Sequence, residues 1–185
     1  MTMKTILRKE NPTQLVKITD NTFTESEYEM MISAMNETVD GNIITFSTKD
    51  WPEDLVSGVD GHSDVYPIVQ LDIMKLLADK CMSILGTTDK YENYSAMYYE
   101  GYGQCGLNWH TDMAYTASAS IYLNDDWDDN YGGYFVFRMD GGNKLGTVVR
   151  PDLGVAVFQK GKIDHAVTST RHDAPKRKSI QVFIK

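Results

Sequence analysis

The chain has 185 residues, enough for one domain with a sizeable hydrophobic core and too few for two domains of ordinary size. Hydrophobic residues make up 42% and charged residues 24% of the sequence, which is ordinary for a globular protein. The formal net charge is -8, so the chain lacks the diffuse attraction to phosphates that supplies most non-specific nucleic-acid affinity. We therefore expect no nucleic-acid partner.

The sequence also argues against a membrane or secreted protein. It contains no run of about 18 apolar residues that would span a bilayer, and after the first lysine only Ile6 and Leu7 form an apolar patch, which is too short for a secretory signal. We expect a cytoplasmic protein, in a bacterial or viral setting. Cys81 and Cys105 do not suggest a disulfide framework; we expect Cys81 in the core and Cys105 in a Gly-rich turn.

Two helices are predicted in the first half of the chain. Thr24 and Glu27 have the spacing of a capping box, which predicts a helix that ends near Thr38. A second helix is predicted from about Val65 to Leu85, with Pro67 in its first turn and Gly86 as its stop. The apolar residues at helical spacing are Tyr28, Met31, Ile32 and Met35 in the first helix, and Ile68, Leu71, Ile73, Leu76, Leu77, Met82, Ile84 and Leu85 in the second.

From residue 91 onward the pattern changes to short strands separated by turn-forming residues. The predicted strands are Tyr94–Tyr99, Leu107–Asp112, Ser118–Leu123, Tyr134–Arg138, Thr147–Arg150, Val155–Phe158, His165–Thr168 and Ser179–Ile184. Eight such strands predict a sandwich or jelly roll, and the helices would cover the outer face of one sheet. The expected fold class is α+β in a single domain of residues 1–185, with residues 1–90 as mainly helical support and residues 91–185 as the β core.

A candidate metal site begins with His110 and Asp112, which lie two residues apart in a strand-like segment. Side chains at that spacing in a strand point to the same face. His165, in a second strand, is the third candidate ligand. Two histidines and one carboxylate leave open positions on an octahedral metal, as non-haem iron(II) oxygenases require.

A His-x-acid pair is weak support by itself, because 26 of the 185 residues are acidic. A second pair, His62 and Asp64, occurs in a turn-rich stretch, where we expect Ser63 or Asp64 to cap the following helix. His172 lies in a polar run, and we expect it to be a solvated loop residue.

Arg177 strengthens the interpretation of a metal site. Alternation in the last strand places Arg177, Ser179, Gln181 and Phe183 on one face. A buried guanidinium is costly unless an anion meets it, and its planar fork matches a carboxylate. Arg177 is therefore a candidate anchor for the distal carboxylate of 2-oxoglutarate, with Ser179 adding a hydrogen bond. A solvated basic cluster at the strand start is the alternative.

Six motifs in order resemble a known family over about residues 94–184. They are His110-x-Asp112, the segment 120–128 (SIYLNDDWD), the segment 132–137 (GGYFVF), the segment 149–154 (VRPDLG), His165-Ala166-Val167 and Arg177-x-Ser179-Ile180. This region is similar to the prolyl 4-hydroxylase group of 2-oxoglutarate oxygenases, and especially to the hypoxia-sensing prolyl hydroxylases.

The resemblance implies a double-stranded β-helix that holds Fe(II) through His110, Asp112 and His165. It also implies 2-oxoglutarate as co-substrate, ascorbate as an accessory reductant, and a place for Tyr122 near 2-oxoglutarate. A further tyrosine in the strand before the metal pair usually reaches the co-substrate. Tyr99 is the candidate here, with Tyr98 and Tyr102 as alternatives. These tyrosines and Trp109 either line a substrate channel or pack in the core.

The expected activity is hydroxylation of a substrate C–H with release of succinate and carbon dioxide. By resemblance the acceptor is a peptidyl proline, which makes a protein or peptide the expected partner. Hydroxylation of a free amino acid or another small molecule is the alternative within the class. A nucleic-acid demethylase fits the charge poorly, and a non-catalytic β-sandwich binding module is the alternative from another class.

Overall fold

A computed structural model of the chain describes residues 3–7, 14–41, 46–87, 93–112, 114–138 and 146–185. The helices are α1 (Glu25–Asp40), α2 (Glu53–Val56) and α3 (Leu71–Leu85), and short 3-10 turns occupy Thr48–Asp50 and Asp129–Tyr131. The strands are β1 (Met3–Leu7), β2 (Leu15–Thr19), β3 (Phe46–Ser47), β4 (His62–Pro67), β5 (Tyr94–Tyr102), β6 (Leu107–His110), β7 (Ala117–Tyr122), β8 (Phe135–Arg138), β9 (Thr147–Val149), β10 (Ala156–Lys160), β11 (Asp164–Val167) and β12 (Arg177–Ile184). Within the described residues, no helix is long and apolar enough to cross a bilayer.

The strands form two antiparallel sheets. The large sheet has eight strands in the order β1-β2-β10-β7-β12-β5-β4-β3, and the small sheet has four in the order β6-β11-β8-β9. Strands that are adjacent in space are mostly distant in sequence, as in a jelly roll. The architecture is the double-stranded β-helix that the resemblance implied, and its two sheets enclose the space in which the candidate site lies.

The helices α1 and α3 pack on the outer face of the large sheet. Three residues at every second position of β12, Ile180, Val182 and Ile184, are buried in the same core cluster as Leu77 of α3. The alternate residues of β12 point to the opposite face, toward the small sheet. A second core cluster, which contains Tyr122 and Phe137, fills one end of the space between the sheets. The alternation of β12 therefore divides the support layer from the site.

All eight predicted strands of the second half are present, with ends that differ by at most three residues. The capping box at Thr24 is also confirmed: the Thr24 hydroxyl accepts from the Glu27 N–H at 3.3 Å, and the Glu27 carboxylate accepts from the Thr24 N–H at 2.7 Å. Gly86 ends α3 in the left-handed conformation, as predicted.

The predicted start of the second helix is wrong. Residues 62–67 form β4, which pairs with β5, and α3 begins only at Leu71. Pro67 is accordingly the last residue of a strand, and neither Ser63 nor Asp64 caps a helix. Leu71, which the spacing placed on the apolar face of the second helix, is exposed, and so is Ile32 of the first helix.

The first 90 residues contribute more than helical support. Besides α1 and α3 they contain four strands that the sequence analysis did not predict, β1 to β4. The strands β1 and β2 extend the large sheet beyond β10, and β3 and β4 extend it beyond β5. Both ends of the large sheet are thus built by the N-terminal half of the chain.

The helix α3 provides a stability test. Leu77 is fully buried against the large sheet, so we expect Leu77→Ala to lower the free energy of unfolding by about 3 kcal/mol. Leu71→Ala is the matched control, since Leu71 is 73% exposed and its truncation is expected to change stability by less than about 0.5 kcal/mol. Urea unfolding followed by circular dichroism measures both. Equal losses in the two variants would contradict the observed start of α3.

Candidate metal and co-substrate site

A cavity of about 600 Å³ lies between the two sheets and opens at one end of the sandwich. The large sheet contributes inward-facing residues of β5, β7 and β12, and the small sheet contributes β6, β8 and β11. His110, Asp112, His165, Arg177, Ser179 and Tyr99 all line this cavity. These are six of the seven residues predicted from the sequence as ligands or anchors. The seventh, Tyr122, lies in the second core cluster.

Three potential metal ligands meet in this cavity. The antiparallel pairing of β6 and β11 places His110 directly opposite His165, and their ring centroids are 4.2 Å apart. Asp112 follows two residues after His110, just beyond the end of β6, and its carboxylate lies 3.8 Å from Nε2 of His165. One ligand atom from each residue lies within 4.8 Å of the other two. Within the described part of the chain, this is the only such cluster of three or more His, Cys, Asp or Glu residues.

Backbone contacts fix which nitrogen of each histidine faces the cluster. Nδ1 of His110 lies 2.7 Å from the carbonyl oxygen of Asn108, and Nδ1 of His165 lies 2.9 Å from that of Ile163. A carbonyl only accepts, so Nδ1 carries the proton and donates in both rings. The Nε2 lone pairs therefore remain free to bind a metal, as second-sphere contacts of this kind ensure in metal sites.

Neighbouring side chains hold the cluster in place. The Ser118 hydroxyl donates to the Asp112 carboxylate at 3.2 Å and accepts from the Gln159 amide at 3.2 Å. The ring of Phe135 stacks on His165 with centroids 5.2 Å apart. Burial lowers the pKa of His165, although the nearby Asp112 carboxylate acts in the opposite direction. A neutral imidazole is the form that binds metal.

Arg177 supplies the second half of the site. Its side chain is only 7% exposed, its Nε donates to the carbonyl oxygen of Gly133 at 2.8 Å, and its Nη1 donates to the Ser179 hydroxyl at 3.3 Å. The guanidinium lies over the ring of Tyr122, 5.2 Å from the centroid. Its Nη2 is buried and has no hydrogen-bond partner, so the group has one donor available for an anion.

Two tyrosines flank Ser179 in the large sheet. The register pairs Ser179 with Tyr122 on β7 and with Tyr99 on β5, so the three residues form one row beside Arg177. The Tyr122 hydroxyl is buried without a hydrogen-bond partner. Burial raises the pKa of Tyr122 to about 12, although Arg177 acts in the opposite direction. At neutral pH this phenol is therefore protonated and able to donate.

Gly132 and Gly133 allow the loop that precedes β8 to approach Arg177 closely. Gly132 and Gly133 both have positive φ, of 71° and 69°. A Cβ at Gly133 would lie 3.1 Å from Cδ of Arg177 and 2.8 Å from Cγ2 of Thr170. Only glycine combines this conformation with this space, which leaves the Gly133 carbonyl free to orient the guanidinium.

The two alternatives to Tyr99 as the tyrosine near the co-substrate, Tyr98 and Tyr102, do not line the cavity. Tyr98 is on the opposite face of β5, in the core beneath the helices. Tyr102 stacks on His62, with centroids 5.2 Å apart, and does not line the cavity. Trp109 does not line the cavity either; it is 46% exposed, and Arg138 lies 4.5 Å from its centroid. Among the candidates, Tyr99 is the tyrosine of β5 that faces the cavity.

The remaining histidines are not part of the site. His62 lies on β4, 3.7 Å from Asp64, and no further His, Cys or acidic ligand joins them among the described residues. His172 is exposed, as predicted.

One part of the cavity was not predicted from the sequence. The segment 46–57, which contains β3, the 3-10 turn and α2, lines its mouth with Phe46, Trp51 and Leu55. The segment has no helical or alternating pattern, so the only available signal was the presence of large apolar residues in a polar stretch.

The fold and the cluster are those of a known class of metal-dependent oxygenases. Residues 95–185 match the family model described as the 2OG-Fe(II) oxygenase superfamily, and this match contains the three residues of the cluster and Arg177. Residues 95–185, which contain the candidate site, therefore belong to the 2OG-Fe(II) oxygenase superfamily. None of the curated proteins matches it.

Solved structures share the fold over most of the chain. A prolyl-4-hydroxylase from Pseudomonas putida has a TM-score of 0.69 at 14% identity, over 92% of this chain and 91% of that one. A Trichoplax adhaerens prolyl hydroxylase, in complex with a peptide fragment of the hypoxia inducible factor oxygen degradation domain, has a TM-score of 0.68 at 12% identity, over 91% and 82%. HygX from Streptomyces hygroscopicus, with nickel and 2-oxoglutarate bound, has a TM-score of 0.64 at 11% identity, over 96% and 86%. At these identities the likeness is one of fold.

The cluster predicts one divalent metal ion per chain. Changes in the second coordination sphere usually cost about 10- to 100-fold in metal affinity, so we expect His165→Ala and Asp112→Ala, which remove direct ligands, to cost more than about 100-fold. His62→Ala is the matched control, because it alters the other His-x-Asp pair. Titration calorimetry of the metal-free protein with Co(II) measures the affinities. A loss in His62→Ala equal to that in His165→Ala would contradict the assignment.

Proposed function

We propose that the protein is an Fe(II)- and 2-oxoglutarate-dependent dioxygenase that hydroxylates a C–H bond of a peptidyl proline. The observation that carries the proposal is that a His-Asp-His cluster and a buried arginine with an unpartnered Nη2 line the same cavity. The first is a ligand set suited to iron, and the second is a donor suited to a dicarboxylic acid.

In this proposal His110, Asp112 and His165 hold the iron. Two imidazoles and one carboxylate leave the remaining coordination positions to co-substrate and dioxygen. The Nδ1 contacts to Asn108 and Ile163 support this role, because they direct both Nε2 atoms inward. Ser118 is a positioning residue, since it orients Asp112 through a hydrogen bond.

Arg177 and Tyr122 bind the distal carboxylate of 2-oxoglutarate. Both bring a buried donor without a protein partner, Nη2 and the phenol O–H. Burying such groups is costly unless an acceptor meets them, and a carboxylate accepts from several donors at once. Ser179 and Tyr99 flank the same position in the sheet and complete the polar end of the co-substrate site.

When bound, iron and 2-oxoglutarate supply the oxidising chemistry. Overall, substrate C–H, dioxygen and 2-oxoglutarate are converted to substrate C–OH, succinate and carbon dioxide, so one oxygen atom enters each organic product. The residues of the chain bind, orient and exclude water. This reaction needs no protein general base, and we assign none. Ascorbate acts in the proposal as an accessory reductant.

Arg177 allows a direct test of the co-substrate site. Arg177→Met removes the charged donor but keeps much of the side-chain volume. We expect the Kd for 2-oxoglutarate to rise about 100-fold, because losing one partner of a buried charged pair costs about 2–5 kcal/mol. Co(II) affinity is expected to stay within about threefold. Arg171→Met is the matched control, because Arg171 is exposed and pairs with Asp173. An unchanged Kd in Arg177→Met would contradict the assignment.

The substrate assignment has its own test. We expect proline-containing peptides to stimulate succinate formation, and mass spectrometry to find a gain of about 16 Da on proline, in equal amount to the succinate. Asp112→Ala is the inactive control. Hydroxylation of free proline, with none of the peptides modified, would favour the small-molecule alternative. Succinate formation without substrate, and without any hydroxylated product, would leave the oxygenase class intact but contradict a proline substrate.

A further inference from the structure

The charge in the cavity is confined to the metal and co-substrate groups. Among the described residues that line it, Asp112 and Arg177 are the ones with a charged side chain, and His110 and His165 belong to the metal cluster. The rest of the lining is uncharged, and its large apolar and aromatic side chains include Phe46, Trp51, Leu55, Val65, Met97 and Phe183. The part of the cavity that the metal and 2-oxoglutarate leave open is thus neutral.

One segment, residues 46–57, forms a wall at this mouth; we call it the entrance wall. Phe46 is 55% exposed although it faces the cavity. The Trp51 ring makes an edge contact with Tyr99, with centroids 6.1 Å apart. Leu55 lies on α2 in the same wall. Phe46 is exposed and Trp51 and Leu55 are half-buried. Apolar side chains that stay open to solvent together commonly mark a binding surface, and these three line the cavity that holds the cluster.

The entrance wall is fixed relative to the metal-binding strand. The Asn108 side-chain amide donates to the carbonyl oxygens of Asp54 and Ser57, at 3.1 and 3.0 Å. Asn108 lies two residues before His110, and its own carbonyl accepts from that histidine. At the other end, the Thr48 hydroxyl accepts from the Ser63 N–H of β4 at 2.8 Å. The wall is therefore held at a fixed distance from the cluster, as a specificity surface must be.

Charge balance limits what this wall can admit. Under the proposed function, the iron(II) charge is cancelled by Asp112 and by the chelating carboxylate of 2-oxoglutarate, while Arg177 is cancelled by the distal carboxylate. A free amino acid would bring an ammonium and a carboxylate, and each needs a counter-charge once it loses water. No described lining residue remains to supply one. Within a peptide, both groups are replaced by neutral amides.

We propose that the entrance wall selects an uncharged group carried on a larger chain, and excludes the free zwitterionic amino acid, with Trp51 as the main contact. This inference rests on the proposed function, because it takes Asp112 and Arg177 as already occupied. It separates the two substrate classes that the sequence left open, and it assigns a role to residues outside the metal and co-substrate site.

The test compares a neutral and a zwitterionic form of one ring. The protein is loaded with Zn(II) and N-oxalylglycine, an inert analogue of 2-oxoglutarate, and titrated with N-acetyl-L-prolinamide or with L-proline. NMR follows the indole N–H signals of the three tryptophans. We expect N-acetyl-L-prolinamide to shift the Trp51 signal in a saturable way, with a Kd at least about tenfold lower than that of L-proline. The Trp109 signal, from outside the cavity, is expected to stay unchanged.

Variants identify the contact. Trp51→Ala is expected to raise the Kd of N-acetyl-L-prolinamide about tenfold, Trp51→Phe to recover most of the affinity, and Trp109→Ala, the matched control, to change nothing. Zinc and N-oxalylglycine affinities should be unaltered in all three. Equal or tighter binding of L-proline, an unchanged Kd in Trp51→Ala, or no saturable binding of the capped probe to the loaded protein would each overturn the inference. Failure of the wild-type protein to bind zinc or N-oxalylglycine would overturn the proposed function, and this inference with it.

Discussion

The pairing register between β6 and β11 is the constraint on which the site depends. It sets His110 directly opposite His165, so that two imidazoles from distant parts of the chain meet. A slip of one residue would turn one of the rings to the outer face of the small sheet. Both rings are further held by carbonyls of their own strands or of the preceding turn. The large sheet contributes its half in the same way, because the register of β12 aligns Ser179 with Tyr99 and Tyr122.

Arg177 shows how the sandwich bears a buried charge. Its guanidinium has protein partners for Nε and Nη1 and an aromatic ring beneath it, but Nη2 has none. Such a group destabilises the folded protein until an anion reaches it. The helical layer on the opposite face of the large sheet, packed through residues such as Leu77 and Ile180, offsets this cost. The layer that supports the site thus also offsets the cost of its buried charge.

The sequence predicts the second half of the chain well and the first half poorly, for physical reasons. Strands 94–184 show alternation and turn residues, and the inward face of β12 follows directly from its period of two. Residues 62–67 could not be assigned to a strand, because pairing with β5, rather than their own propensity, determines their conformation. Nor could the entrance wall be foreseen. It is held by the Asn108 amide on backbone carbonyls of residues 54 and 57, and backbone acceptors are the same in every residue type.

The entrance wall and the region that matches the superfamily occupy separate parts of the chain. The wall ends at residue 57, whereas the part of the chain that matches the superfamily begins at residue 95. Because the hydrogen bonds of the Asn108 amide go to main-chain oxygens of Asp54 and Ser57, the side chains at 46, 51 and 55 are not part of this attachment. Under the proposed function, substrate choice can therefore change in one part of the chain while the oxidative chemistry is preserved in another. The N-terminal segment is the natural unit to exchange in redesign.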